Sequence, residues 1–222
     1  MKLGITGHRP NRMHIGVARV EARLRAVLRA LRRGCPDAKV ARPIAISALA
    51  EGSDRLFAEA ALGMGFSLHA ILPFVSTDYE TTFGDQADTP TYRTLLARAC
   101  EVTVHPGTLA DSTAAYEAAG RLTVDGCDIL VTVWDGKAAA GRGGTPEIIQ
   151  YALDIGRPVI WIDAARDRQP LLLRAPRAGG MHSVPVMRLA GRAKVMSSRQ
   201  IIRLATGGRT SRAARRFGLA PR

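Results

Sequence analysis

The sequence predicts a three-layer α/β fold, in which a mainly parallel sheet carries helices on both faces, followed by a basic C-terminal tail. Through residues 1–163, short apolar segments alternate with segments whose apolar residues recur at helical spacing. Such alternation implies right-handed strand–helix–strand crossovers and a parallel sheet. The strands are apolar along nearly their whole length, as in Ile129–Trp134, which is typical of parallel strands buried on both sides.

The predicted elements follow from apolar runs and from the residues that interrupt them. Strands are predicted at Lys2–Thr6, Ile44–Leu49, Ser67–Leu72, Glu101–His105, Ile129–Trp134 and Pro158–Asp163. Helices are predicted at Val17–Leu31, Ser53–Met64, Pro90–Cys100, Ser112–Asp125 and from Thr145 to Ile155. The first helix ends before Gly34 and Pro36, and Gly65 caps the second. Residues 75–90 are polar and rich in turn residues, which predicts a surface loop.

The net charge of +13 divides the chain in two. Residues 164–222 contain 14 lysines and arginines and one acid, Asp167, whereas residues 1–163 contain 18 basic and 18 acidic residues. We therefore expect a neutral domain at 1–163 and an Arg-rich tail at 164–222 that is partly disordered or packed on the domain. The basic charge describes the tail and gives no information about a pocket in the domain.

Composition excludes several classes of protein. No apolar run is long enough to span a bilayer, and no signal peptide precedes the first strand. The three cysteines Cys35, Cys100 and Cys127 form neither a metal spacing nor a disulfide framework. We therefore expect a cytoplasmic protein without a metal site.

The first candidate site is the turn after the first strand, Gly4–Pro10. Gly7 permits a tight turn, Thr6 and His8 can form hydrogen bonds, and Arg9 can pair with a phosphate. The alternative is an ordinary strand–helix turn with a surface arginine. Neither GxGxxG nor GxxxxGK[ST] occurs in the chain, so ordinary dehydrogenases and P-loop NTPases lose support.

The second candidate is the loop Ala50–Arg55, which includes Gly52. Here Glu51 or Asp54 would bind ribose hydroxyls or hold an arginine in place. The alternative is a plain helix start with acids in its first turn.

The third candidate, a glycine-rich loop after the strand Ile129–Trp134, is the strongest. Its backbone amides and the following helix start would bind an anion such as a nucleotide phosphate. The alternative is a flexible turn with Thr145 as the helix N-cap. The residues of this candidate are Asp135, Gly141, Arg142, Gly143, Gly144 and Thr145.

Two further groups complete the candidate residues. Phe74, with Tyr79 nearby in sequence, and Tyr116 are candidates for stacking on a base, with ordinary packing as the alternative. No serine elbow and no Cys/His nucleophile pair occurs. Cleavage of a glycosidic bond would therefore depend on carboxylates, with Glu147 and Glu51 as the catalytic candidates and Asp135 as the other available acid.

Taken together, these motifs resemble the SLOG superfamily of Rossmann-like proteins, which joins Smf/DprA-type DNA-processing proteins with LOG phosphoribohydrolases. The resemblance covers residues 1–163 and rests on Gly4–Pro10, Ala50–Ala61, Leu72–Phe74, Ala115–Arg121 and Trp134–Thr145. It implies a Rossmann-like fold, a nucleotide or NAD-derived ligand with no required cofactor, and homodimers as in related folds. It also implies that the glycine-rich loop follows the strand beside the first strand and faces the Gly7 turn across one cleft. The strand at Glu101–His105 would then be an addition.

The chain departs from the phosphoribohydrolase pattern Pro-Gly-Gly-x-Gly-Thr-x-x-Glu. Here Gly144-Thr145 is followed by Pro146 and Glu147, so the carboxylate arrives one position early, which turns a helical side chain by about 100°. We therefore expect Glu147 to face elsewhere, which favours binding over hydrolysis.

Three hypotheses follow. The first is a sensor or signalling protein that binds a phosphorylated nucleoside or an ADP-ribose-like nucleotide. The second is an enzyme that cleaves a nucleotide N-glycosidic bond with Glu147 or Glu51. The third is a protein that binds nucleic acid through residues 164–222, because Lys/Arg tails release counterions from phosphate backbones.

Overall fold

The computed structural model describes residues 1–34, 42–138, 144–174 and 194–205. Its strands are β1 (Lys2–Gly7), β2 (Ile44–Ser47), β3 (Ser67–Leu72), β4 (Glu101–Val104), β5 (Ile129–Trp134), β6 (Val159–Asp163), β7 (Leu171–Leu173) and β8 (Lys194–Val195). Its helices are α1 (Val17–Arg33), α2 (Ser53–Gly63), α3 (Ser76–Glu80), α4 (Thr89–Ala97), α5 (Ser112–Gly126), α6 (Thr145–Asp154) and α7 (Ser198–Ala205).

In the part of the chain that the structure describes, the strands form one sheet in the order β4-β3-β2-β1-β5-β6-β7-β8. The strands from β4 to β6 pair in parallel, whereas β7 is antiparallel to β6 and β8 is antiparallel to β7. Strand order reverses between β1 and β5, because β2, β3 and β4 extend the sheet in one direction and β6 extends it in the other. In open α/β sheets, ligands bind beyond the carboxyl ends of the strands at such a reversal.

Helices cover both faces of the sheet, which confirms the predicted fold class. Helix α1 packs against α2 and α7, and α2 packs against α4 on the same face, while α5 and α6 pack together on the other. Helix α1 buries the apolar stripe that its spacing predicts, Val20, Leu24, Val27, Leu28 and Leu31. An apolar core lies on each face of the sheet.

The prediction of a surface loop at 75–90 is wrong. This segment contains α3 and buries Tyr79 and Phe83, which are only 1% and 5% exposed. Their rings meet edge to face, with centroids 5.1 Å apart, and both contact the ring of Tyr92 from α4. Tyr79 and Phe83 are four residues apart, as on one face of a helix, but two aromatic residues among polar neighbours are too short a pattern to predict that this segment joins the core.

The sheet continues past Asp163, where the sequence placed the end of the domain. Strand β7 pairs with β6, and α7 packs on α1 with Met196 and Ile201 buried in the core. Residues 175–193 and 206–222 of the predicted tail lie outside the described residues. None of the described helices is long and apolar enough to cross a membrane.

Candidate functional site

The carboxyl ends of β1 and β5 lie side by side at the reversal of strand order. Gly7 pairs with Val133 in the sheet, and the backbone N–H of His8 donates to the carbonyl of Val133 at 3.0 Å. The chain then leaves β1 toward α1 on one face and leaves β5 toward α6 on the other. We call the region formed by Gly7, His8, Arg9, Arg12 and Asp135 the switch-point crevice.

Asp135 is the anchor of the switch-point crevice. Its side chain is 1% exposed, and its carboxylate accepts a hydrogen bond from Arg12 at 2.7 Å and another from the backbone N–H of Lys137 at 3.0 Å. Nε2 of His8 lies 3.0 Å from Oδ1 of Asp135, although this contact is not aligned as a regular hydrogen bond. Burial raises the pKa of Asp135, but the neighbouring His8 and Arg12 outweigh it and lower that pKa to about 2. The carboxylate is therefore ionised at neutral pH.

Arg9 is held by a second buried carboxylate, that of Glu51. Oε2 of Glu51 lies 3.0 Å from the guanidinium of Arg9. The two carboxylate oxygens of Glu51 also accept hydrogen bonds from the backbone N–H groups of Gly84 and Asp85, at 3.0 and 2.9 Å. The side chains of Arg9 and Arg12 remain 44% and 36% exposed. Two guanidinium groups are therefore fixed on one side by buried acids and open to solvent on the other.

The glycines beside this crevice serve close packing of the protein on itself. A Cβ on Gly7 would lie 2.6 Å from Oγ of Ser53, and a Cβ on Gly52 would lie 2.8 Å from the carbonyl oxygen of His8. Gly52 also has a φ of +88°, which L-residues with side chains rarely adopt. These glycines bring the turn after β1 against the start of α2, where the N–H of Ser53 donates to His8.

Asp54 and Arg55 belong to the scaffold behind the crevice. Asp54 is 5% exposed, and burial raises its pKa to about 7 although it accepts hydrogen bonds from the backbone of Ala48 and Ala50. The guanidinium of Arg55 donates to the carbonyl of Leu49 and pairs with Asp88. It also lies over the ring of Phe83, 4.2 Å from the centroid. Neither side chain is exposed to the crevice solvent.

The candidate stacking residues differ in exposure. Phe74 is fully buried, and its ring packs against Tyr79 and Tyr116 at centroid distances of 5.6 and 5.8 Å. Tyr116 is half-buried. Of the two candidates, only Tyr116 keeps an accessible surface.

Part of the glycine-rich loop falls in the described residues. Gly144 is the N-cap of α6 and Thr145 is the first helical residue, so Thr145 itself is not the cap. Gly141, Arg142 and Gly143 lie outside the described residues. Because β5 pairs with β1, this loop starts beside the turn after β1, as the sequence predicted.

Glu147 and Glu51 have different neighbours in the structure. Glu147 is exposed on α6 and lines a groove of about 330 Å³ together with α5 residues. The other residues that line this groove are Glu117, Arg121, Gln150, Tyr151 and Asp154. Glu51, in contrast, follows β2 and is enclosed by Arg9, Gly84 and Asp85. The structure does not bring the two catalytic candidates together.

Arg12 is the residue that sequence reasoning missed. It ends a short 3-10 helix, Pro10–Arg12, and reaches an aspartate 123 positions away in the sequence. The available signal was a second arginine three residues after Arg9 in the same turn. Thr6 is half-buried within β1 beside Thr132. Among the described residues, no cluster of three His, Cys, Asp or Glu side chains is placed to hold a metal ion.

Comparison with known proteins shows a likeness of fold. No protein-family model matches the chain, and no curated protein sequence matches it. Among solved structures, the chain is similar to DNA processing protein A (DprA) from Streptococcus pneumoniae, with a TM-score of 0.51 and 16% sequence identity. The match covers 92% of this chain and 60% of that one, so the chain spans less than two thirds of its structural neighbour. The comparison and the sheet topology together establish a Rossmann-like α/β fold.

Proposed function

We propose that this protein binds a phosphorylated nucleoside or an ADP-ribose-like nucleotide in the switch-point crevice, and that it acts as a sensor or signalling protein. One observation carries the proposal. Arg9 and Arg12 stand at the reversal of strand order, each fixed by a buried carboxylate and each partly exposed. The SLOG-like motifs and the Rossmann-like fold support the same ligand class.

The physical basis is preorganisation. A guanidinium group has five N–H donors in a fixed plane, so Arg9 and Arg12 retain donors after pairing with Glu51 and Asp135. Both carboxylates are buried and accept backbone N–H groups, which restricts the arginines before a ligand arrives. Binding a phosphate there costs less side-chain conformational entropy than binding it with two freely rotating arginines. In this proposal, Arg142 and the amides of the loop 141–145 complete the phosphate site.

The proposal is tested with the full chain in a thermal-shift screen of NAD, ADP-ribose, cyclic ADP-ribose and nucleoside monophosphates. We expect at least one of these compounds to raise the Tm in a concentration-dependent way. The shift should shrink in Arg9→Gln and Arg12→Gln, and it should persist in Arg93→Gln, which changes an arginine that is 68% exposed and pairs with Glu80. No shift with any of these compounds would contradict the proposal.

The N-glycosidase alternative receives less support. Glu51 already accepts two backbone N–H groups and pairs with Arg9, so it acts as an anchor for that arginine. Glu147 lines the groove between α5 and α6. Release of free base from a nucleoside monophosphate, abolished in Glu147→Gln or Glu51→Gln, would establish the enzyme; the binding hypothesis predicts no turnover.

A second candidate function, nucleic-acid binding through residues 164–222, has its own supporting observation. Helix α7 packs on α1, and both helices expose arginines: Arg199 and Arg203 on α7, and Arg29 and Arg33 on α1. The solved neighbour is described as a DNA processing protein. Fluorescence anisotropy with a labelled single-stranded oligonucleotide tests this function. Salt-sensitive binding that disappears when residues 206–222 are deleted and Arg199 and Arg203 are changed to glutamine, changes that keep β7, β8 and α7 in the chain, would support it. Binding that persists in this variant would contradict a mechanism based on the tail.

A further inference from the structure

Strand β4 forms one edge of the sheet and carries two exposed valines. Val102 and Val104 are each 45% exposed, and they point to the same face because side chains alternate along a strand. Within the described residues, nothing pairs with the outer side of β4. Edge strands are usually protected by charges, proline or a covering element, and neither a lysine nor a proline occurs between Glu101 and Val104.

The pairing with β3 determines which backbone groups of β4 are open. The register joins His69 to Glu101 and Ile71 to Thr103, and the N–H of His105 donates to the carbonyl of Leu72. Because inward and outward groups alternate along a parallel pair, Glu101, Thr103 and His105 direct their N–H groups to β3. Val102 and Val104 therefore direct their N–H and C=O groups outward.

We propose that β4 pairs antiparallel with β4 of a second copy of this chain, with Thr103 on the two-fold axis. In this register, Val102 of each copy faces Val104 of the other, and each of these pairs exchanges two backbone hydrogen bonds. All outward donors and acceptors of the strand are then satisfied. The four valines come together on one face and lose their exposure to water.

Charge and proline disfavour the registers centred two residues to either side of Thr103. With Thr103 on the axis, Glu101, whose side chain is 63% exposed, lies opposite His105 of the second copy. A register centred on Glu101 would place two carboxylates opposite each other, which is destabilising. A register centred on His105 would bring Pro106, which has no N–H, into the ladder. The strand is therefore self-complementary about Thr103, as an isologous two-fold interface requires.

The test is the mass of the full chain, measured by analytical ultracentrifugation over a range of concentrations. We expect a dimer with a Kd on the order of micromolar, because main-chain pairing along one short edge is a small interface. Val104→Pro should weaken it by about tenfold or more, because it removes an outward N–H while leaving the hydrogen bonds to β3 in place. Val104→Asp should act in the same direction by placing a charge among the valines.

Ile155→Asp is the matched control, because Ile155 is 45% exposed and follows α6, which packs on β5 and β6 rather than on β4. It should leave the dimer intact, and circular dichroism should show that all variants remain folded. Thr103→Cys, in a background with Cys35 and Cys100 changed to serine, should form an intermolecular disulfide across the axis on mild oxidation. A monomer at all concentrations, including one produced by the chain's own tail covering β4, would overturn the proposal. A dimer unaffected by both Val104 variants would overturn it as well.

Discussion

The turn Gly7–Arg12 and the loop Ala48–Arg55 present similar residues with different consequences. Each follows a parallel strand and contains a glycine and at least one arginine. In the loop, Arg55 is 3% exposed and its donors go to a carbonyl, to Asp88 and to an aromatic ring. In the turn, Arg9 and Arg12 are anchored on one side only. The difference in burial makes the loop a scaffold and the turn a candidate ligand site.

The two aspartates of these regions show the same contrast in their ionisation. Asp135, beside Arg12 and His8, has its pKa lowered to about 2, despite burial. Asp54, buried beneath the loop, has its pKa raised to about 7. The first carboxylate is stabilised as an anion that orients a cation. The second tends to be protonated, because no cation is close enough to offset its desolvation.

The largest effect on stability is expected from Arg55→Ala. It leaves the carbonyl of Leu49 without this donor, removes the partner of Asp88 and empties the space over Phe83. We expect the free energy of unfolding to fall by about 3 kcal/mol, as measured by urea denaturation. Arg93→Ala, which removes an exposed pair with Glu80, should cost less than about 1 kcal/mol. Equal losses in the two variants would remove the distinction between scaffold and surface arginines.

Gly52→Ala should have the next largest effect, about 2 kcal/mol of destabilisation. A methyl group there meets the carbonyl oxygen of His8 at 2.8 Å, in addition to the unfavourable φ of +88°. Gly16→Ala is the matched control, because Gly16 has the same φ and no atom within 4 Å of the added carbon. It should cost only the backbone term, about 1 kcal/mol. If both variants lost the same stability, the turn would not depend on contact with α2.

Asp54→Asn should have the smallest effect on stability at acidic pH, where the carboxyl group of Asp54 is protonated, and a larger effect as pH rises. A carboxyl group with a folded pKa of about 7 holds its proton to higher pH in the folded state than in the unfolded chain. Its contribution therefore lowers the free energy of unfolding by about 4 kcal/mol as pH rises from about 4 to 7. The asparagine variant should lose this decline, as judged from urea denaturation at pH 5 and pH 8. An unchanged decline would show that Asp54 is ionised in the fold.

Much of the fold was predictable because its signals are local. The bounds of β3 and β5 match the sequence prediction, since β5 is an almost continuous apolar run and β3 lies between Gly65 and Pro73. Helix α3 was missed because its polar residues carry no apolar period and its one buried side chain, Tyr79, finds its partners elsewhere in the chain.

The candidate site was predictable only in part. The turn residues Gly7, His8 and Arg9 follow from their position after the first strand. The partners that define their roles do not, because Asp135 and Glu51 reach them only through the folded sheet. No local motif marks Arg12. Its role as a candidate phosphate-binding residue depends on its hydrogen bond to Asp135, which lies 123 positions later in the sequence.

Calorimetric titration of the full chain with ADP-ribose and with AMP shows whether Arg9 and Arg12 form a preorganised phosphate site. We predict saturable binding of at least one of these nucleotides. Arg12→Gln should weaken it about tenfold, with no change in Arg93→Gln. Absence of binding to both nucleotides, or equal affinity in wild type and Arg12→Gln, would contradict the account.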